Sequence, residues 1–155
     1  MDGTTTILAE RRSLDGAWTP ARIFLAISAA FHIPVAVVGF VYDRSFPIGA
    51  GEAARAPSGH ILGLETNGWH TLGALIVGVV SLYFALRPRQ ARRTAFALGA
   101  VHVGLWLSLI LWDPSTFWIA SNSADQIVHA CTAVGGIASA MLTRRPIRSM
   151  GPAKA

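Results

Sequence analysis

The stretch Ile23–Tyr42, IFLAISAAFHIPVAVVGFVY, decides the fold: it contains no Asp, Glu, Lys or Arg. At 1.5 Å per residue, ~20 helical residues cross the ~30 Å hydrocarbon core of a bilayer. A soluble bundle helix needs a charged face toward water, and this segment has none. Three further stretches are equally free of charge: Thr66–Leu86, Thr94–Trp112 and Gln126–Thr143. Only 14% of the chain is charged, against about 25% in an ordinary soluble protein. The sequence therefore predicts an all-α integral membrane four-helix bundle with helices over 22–42, 67–86, 94–112 and 125–143. Its 155 residues leave room for a single domain. The first segment reads as a retained helix, since its apolar run exceeds the about 7–15 residues of a signal-peptide core.

Basic residues give the orientation. Arg11, Arg12 and Arg22 precede the first helix; Arg87, Arg89, Arg92 and Arg93 link the second to the third; Arg144, Arg145, Arg148 and Lys154 follow the fourth. Eleven of 13 basic residues then share one side, leaving Arg44 and Arg55 opposite, so both termini are expected in the cytoplasm. The net charge of +5 borders hydrophobic segments instead of forming one continuous face, which argues against nucleic acid and for the lipid bilayer, with its anionic head groups, as partner. Trp69, Trp112, Trp118 and Tyr42 fall at the predicted outer interface, with Trp18 and Tyr83 at the inner one.

Residues 43–66 form the one long loop, on the outer side. It is rich in Gly and Pro and has little reason to be regular, and its Ile61-Leu62-Gly63-Leu64 end could lie on the membrane or cover the outer mouth. A short cytoplasmic loop is expected over 87–93, and mobile tails over 1–20 and 144–155.

The chain reads as internally duplicated. A shift of 70 residues places Ala21-Arg22 on Ala91-Arg92, Ala30 on Ala100, His32 on His102 and Tyr42-Asp43 on Trp112-Asp113. The second helix of each half opens alike, with Asn67 before His70, and Asn122 and Asp125 before His129. Two copies of a two-helix hairpin keep the same orientation, so the halves would be parallel repeats.

The Asn67-x-x-His70 start, the Gly99-Ala100-Val101 run and the Asn122-x-x-Asp125-x-x-x-His129 start, with Leu62-Gly63-Leu64 and Gly39-Phe40, resemble an uncharacterised bacterial family of four-helix membrane proteins, a domain of unknown function. The resemblance implies a multi-pass protein of the bacterial inner (cytoplasmic) membrane and no known activity. Family members often carry a second histidine one turn after the first in the second helix; here that position is Ala74.

Four histidines fall one per helix. His32 and His102 each lie 11 residues before an outer-end aspartate, ~16 Å deep, and are the candidate haem pair. His70 and His129, with Asp125, lie nearer the outer interface and are the candidate divalent-metal or proton group. Against these stand plain structural roles. A neutral histidine can hydrogen-bond a neighbouring helix, Asn67, Asn122 and Ser123 read as N-caps, and Asp125 reaches His129 one turn on.

Remaining features are less specific. Gly73, Gly78, Gly135, Gly136, Ser139 and Ala140 give small-residue surfaces for close helix contact, internal or with other membrane proteins. Pro34 should kink the first helix. Cys131, the only cysteine, reads as buried filler. No nucleophile elbow, phosphate loop or paired intramembrane carboxylates occur, and Ser28, Ser81 and Ser108 are read as lacking a histidine one turn away, so no enzyme is expected. The expected role is a non-catalytic structural or accessory membrane component without cofactor; a haem- or metal-binding redox protein and a small carrier or proton pathway are the alternatives.

Overall fold

The structure, a computed structural model, describes residues 17–48, 59–111 and 119–143. The tails beyond these limits, loop residues 49–58, and the predicted interface residues Trp112, Asp113 and Trp118 lie outside the described residues. Four helices carry the fold: α1 (Pro20–Tyr42), α2 (Gly68–Ala85), α3 (Pro88–Leu111) and α4 (Ser123–Leu142). A two-stranded hairpin, β1 (Gly59–Ile61) and β2 (Leu64–Thr66), precedes α2. The protein is an all-α membrane protein, with α1, α2 and α3 each long and apolar enough to cross a bilayer. Helix α4 packs alongside α3.

Each helix starts where local chemistry supplies partners for its first amides. Thr19, Asn67 and Asn122 sit in extended conformation and cap α1, α2 and α4 through their side chains. Helix α3 differs from expectation: it begins at Pro88, so most of the predicted cytoplasmic loop 87–93 is its first turns. Proline is pre-organised for the first helical position, and arginine is a good helix former, so the charge there does not mark a loop. Helix α1 runs through Pro34 to Tyr42.

Two helix pairs dominate the packing, α1 on α2 and α3 on α4, and both use small residues. A Cβ on Gly78 would stand 2.7 Å from Ile33 and 3.3 Å from the Cβ of His32; one on Gly136 would stand 2.7 Å from the Ala95 carbonyl and 2.9 Å from the backbone of Gly99. These glycines let the backbones meet, as expected of helices whose contact is driven by close packing. Gly73 and Gly104 face open space, and Cys131 is exposed on α4, not buried.

The outer segment is also more regular than expected. Leu62 and Gly63 adopt φ of 55° and 85°, the pair of positive values that a tight two-residue hairpin turn needs, and Ile61 and Leu64 are buried at its base. The hairpin lies over the end of the bundle where α2 and α4 begin: Asn122 Nδ2 donates to the Gly63 carbonyl at 2.9 Å, and the Glu65 amide donates to Asp125 Oδ2 at 3.2 Å.

Candidate functional site

The four helices bring their histidines into one continuous file. His32 of α1 and His102 of α3 stand with ring centroids 6.0 Å apart, His102 and His129 of α4 at 5.4 Å, and His129 and His70 of α2 at 6.2 Å. The sequence separates them by depth into two pairs; in the structure the His102–His129 contact joins the pairs. His32 is 8% exposed and His102 1% exposed.

Backbone carbonyls fix three of the rings. His32 Nδ1 lies 2.8 Å from the Ser28 carbonyl, His102 Nδ1 lies 2.8 Å from the Leu98 carbonyl, and His70 Nδ1 lies 2.7 Å and 2.9 Å from the carbonyls of Glu65 and Ala120. A carbonyl oxygen only accepts, so Nδ1 must carry hydrogen in each. The neutral form of each then keeps its lone pair on Nε2. His129 differs: its Nδ1 is buried and has no hydrogen-bond partner among the described residues, so no carbonyl fixes its tautomer.

At the hairpin end, the capping box of α4 places the carboxylate. Asn122 Oδ1 accepts from the amides of Ala124 and Asp125, and Asp125 Oδ2 accepts in return from the Asn122 amide at 2.9 Å. The remaining oxygen faces His70, with Oδ1 3.7 Å from Nε2. This corrects the expectation that Asp125 pairs with His129 one turn on. A side chain occupied in capping its own helix end leans away from the following turn, and toward the neighbouring helix.

Away from the hairpin the file continues through hydroxyls. Ser28 lies one turn before His32, so the expectation that no helical serine has a histidine one turn away fails: Ser28 Oγ is 3.3 Å from His32 Nδ1. Ser81 Oγ of α2, fully buried, donates to Ser28 Oγ at 3.1 Å. The four-residue spacing of Ser28 and His32 carries this contact in the sequence, whereas the Ser81 contact depends on how α2 docks on α1.

The arrangement bears on the cofactor readings. His32 and His102 are both buried, with ring centroids 6.0 Å apart. Among the described residues no group of three or more His, Cys, Asp or Glu side chains is placed to hold a metal ion, which includes His70, His129 and Asp125. What the file offers is a set of buried imidazoles in mutual contact, with a carboxylate at one end and hydroxyls at the other.

Residues 22–142 match the model of a family described as a domain of unknown function, DUF4383. No curated protein and no solved structure matches the chain.

Proposed function

We propose that this chain, which belongs to the DUF4383 family of unknown function, is a non-catalytic multi-pass membrane protein that binds and passes protons along its buried histidines. The observation that carries this reading is the position of His129. Its ring lies between His70 and His102, and its buried Nδ1 is without a partner among the described residues. An imidazole whose Nδ1 is not committed to a carbonyl is free to change tautomer, and so to accept a proton on one nitrogen and release it from the other. Its neighbours present Nε2 lone pairs, because their Nδ1 hydrogens are held by the backbone. Asp125 Oδ1 stands 3.7 Å from His70 Nε2 at the hairpin end of the file. Ionisable groups inside a membrane are costly and are concentrated where ions or protons move, which favours this reading over inert packing.

The distribution of arginines supports placing the end with Arg22, Arg87, Arg89, Arg92 and Arg93 in the cytoplasm, with the hairpin outside, in a bacterial cytoplasmic membrane. The test is proton flux into liposomes holding the purified protein and a trapped pH dye, driven by a potassium diffusion potential. Flux above that of protein-free liposomes, lost in His129→Phe, supports the pathway. Flux equal in His129→Phe and the natural chain removes it, and returns the histidines to packing in an accessory protein.

A further inference from the structure

Arg92 and Arg93 lie in the first two turns of α3. The three described carboxylates, Asp43, Glu65 and Asp125, are all at the hairpin end. At the other end, a cleft of about 310 Å³ opens between α3 and α4, lined by Arg92, Arg93, Phe96, Ala140 and Met141. Its volume is at the lower end of the range for small-ligand sites.

Two features give the cleft an amphiphile's shape. Arg92 Nε donates to the Ala140 carbonyl at 2.9 Å, which fixes its guanidinium at the cleft's edge before any ligand arrives; Arg93 follows it on the exposed side. Phe96 and Met141, 53% and 73% exposed, form the lipid-facing wall. One turn deeper, Gly136 meets Ala95 and Gly99 backbone to backbone, so the cleft ends there and opens sideways to the bilayer. A basic edge at the interface above an apolar wall suits a phosphate with an attached acyl chain.

We propose that this cleft binds the head group of an anionic phospholipid, with the phosphodiester on the guanidinium groups of Arg92 and Arg93 and the first part of an acyl chain along Phe96 and Met141. Guanidinium matches phosphate geometry with two parallel hydrogen bonds, and basic pockets between helices at the cytoplasmic interface are suited to such head groups. The site is independent of the histidine file, so either assignment can fail without the other.

Native mass spectrometry of the full chain in detergent, titrated separately with phosphatidylglycerol, phosphatidylcholine and inorganic phosphate, tests this. Phosphatidylglycerol is expected to bind saturably and about tenfold more tightly than phosphatidylcholine, and Arg93→Gln to lose about tenfold, the loss expected of one charge-assisted hydrogen bond. Met141→Glu, which sets a carboxylate on the apolar wall, should weaken binding too, while Arg44→Gln at the far end leaves it unchanged. Unaltered phosphatidylglycerol binding in both Arg93→Gln and Met141→Glu overturns the site. Equal binding of phosphatidylcholine overturns the charge selectivity, and equally tight inorganic phosphate would make it a free-anion site instead.

Discussion

Asp125 and His70 approach to 3.7 Å between Oδ1 and Nε2, which ties the first turn of α4 to the first turn of α2 beneath the hairpin. The same two side chains hold the hairpin, Asp125 through the Glu65 amide and His70 through the Glu65 carbonyl. One strand residue is thus clasped from both sides by the groups at the mouth of the histidine file.

Asp125→Ala removes the acceptor of two backbone amides, those of Glu65 and Asn122, and leaves the His70 ring facing an apolar methyl. Loss of buried acceptors and of a helix cap costs ~2–3 kcal/mol. Hydrogen–deuterium exchange is expected to quicken over residues 59–66 and at the start of α4 while α1 and α3 stay protected. Uniform exchange across all four helices would show that Asp125 supports the whole bundle and not the hairpin in particular.

The hairpin turn itself contains an unfavourable residue. Leu62 is 85% exposed and holds φ at 55°, where a branched side chain clashes with its own backbone. Leu62→Asn, followed by Gly63, gives the dipeptide best suited to this turn and should slow exchange at Ile61 and Leu64, a gain of about 1 kcal/mol locally. Faster exchange in this variant would mean that contacts of the Leu62 side chain outweigh its backbone.

Helix contact gives a sharper contrast. Gly136→Ala would drive a methyl to within 2.7 Å of a backbone carbonyl, which cannot move without parting α3 from α4. A loss of ~1–3 kcal/mol is expected, read as a lowered midpoint of unfolding in detergent titration. Gly104→Ala, where nothing lies within 4 Å, is expected to stay within ~0.5 kcal/mol.

Much of this fold could be read from the chain, because charge-free runs of the required length have few alternatives. Asn67 and Asn122 mark their helix starts for a local reason, the competition of a short polar side chain for amides two or three residues on. The start of α3 was hidden by its arginines, since charge reads as loop when a helix emerges from a membrane into water. The hairpin was hidden by Gly and Pro around it and by strands of only three residues, too short to show alternation. In the site, the one-per-helix spacing shows the four histidines as a set. Contacts such as His102 with His129 and Asp125 with His70 depend on how hairpins dock, which no local pattern encodes.

Two arginines on different helix pairs make matching contacts. Arg22 Nε donates to the Ala85 carbonyl at 2.8 Å, and Arg92 Nε donates to the Ala140 carbonyl at 2.9 Å; the arginines are 70 residues apart and each closes the end of the helix that follows its own. Arg22→Ala and Arg92→Ala are each expected to cost ~1.5–3 kcal/mol, as loss of a charged hydrogen bond, and to add within ~0.5 kcal/mol because they sit in different helix pairs. Strong non-additivity in the unfolding midpoints would show that the two pairs do not act as separate units.

His129 separates a working site from a packed one through stability as well as flux. His129→Phe keeps an aromatic ring between His70 and His102 and removes the buried Nδ1 that has no partner among the described residues. Removing an unsatisfied buried polar atom relieves a desolvation cost, so the variant is expected to be as stable as the natural chain or up to ~1–3 kcal/mol more stable. A residue retained against stability is one whose chemistry is used, because sites that bind protons or ligands keep groups a packed core would exclude. Thermal unfolding in detergent measures this directly. A variant clearly less stable than the natural chain would place His129 among groups held by hydrogen bonds, and would remove the argument that its free nitrogen passes protons.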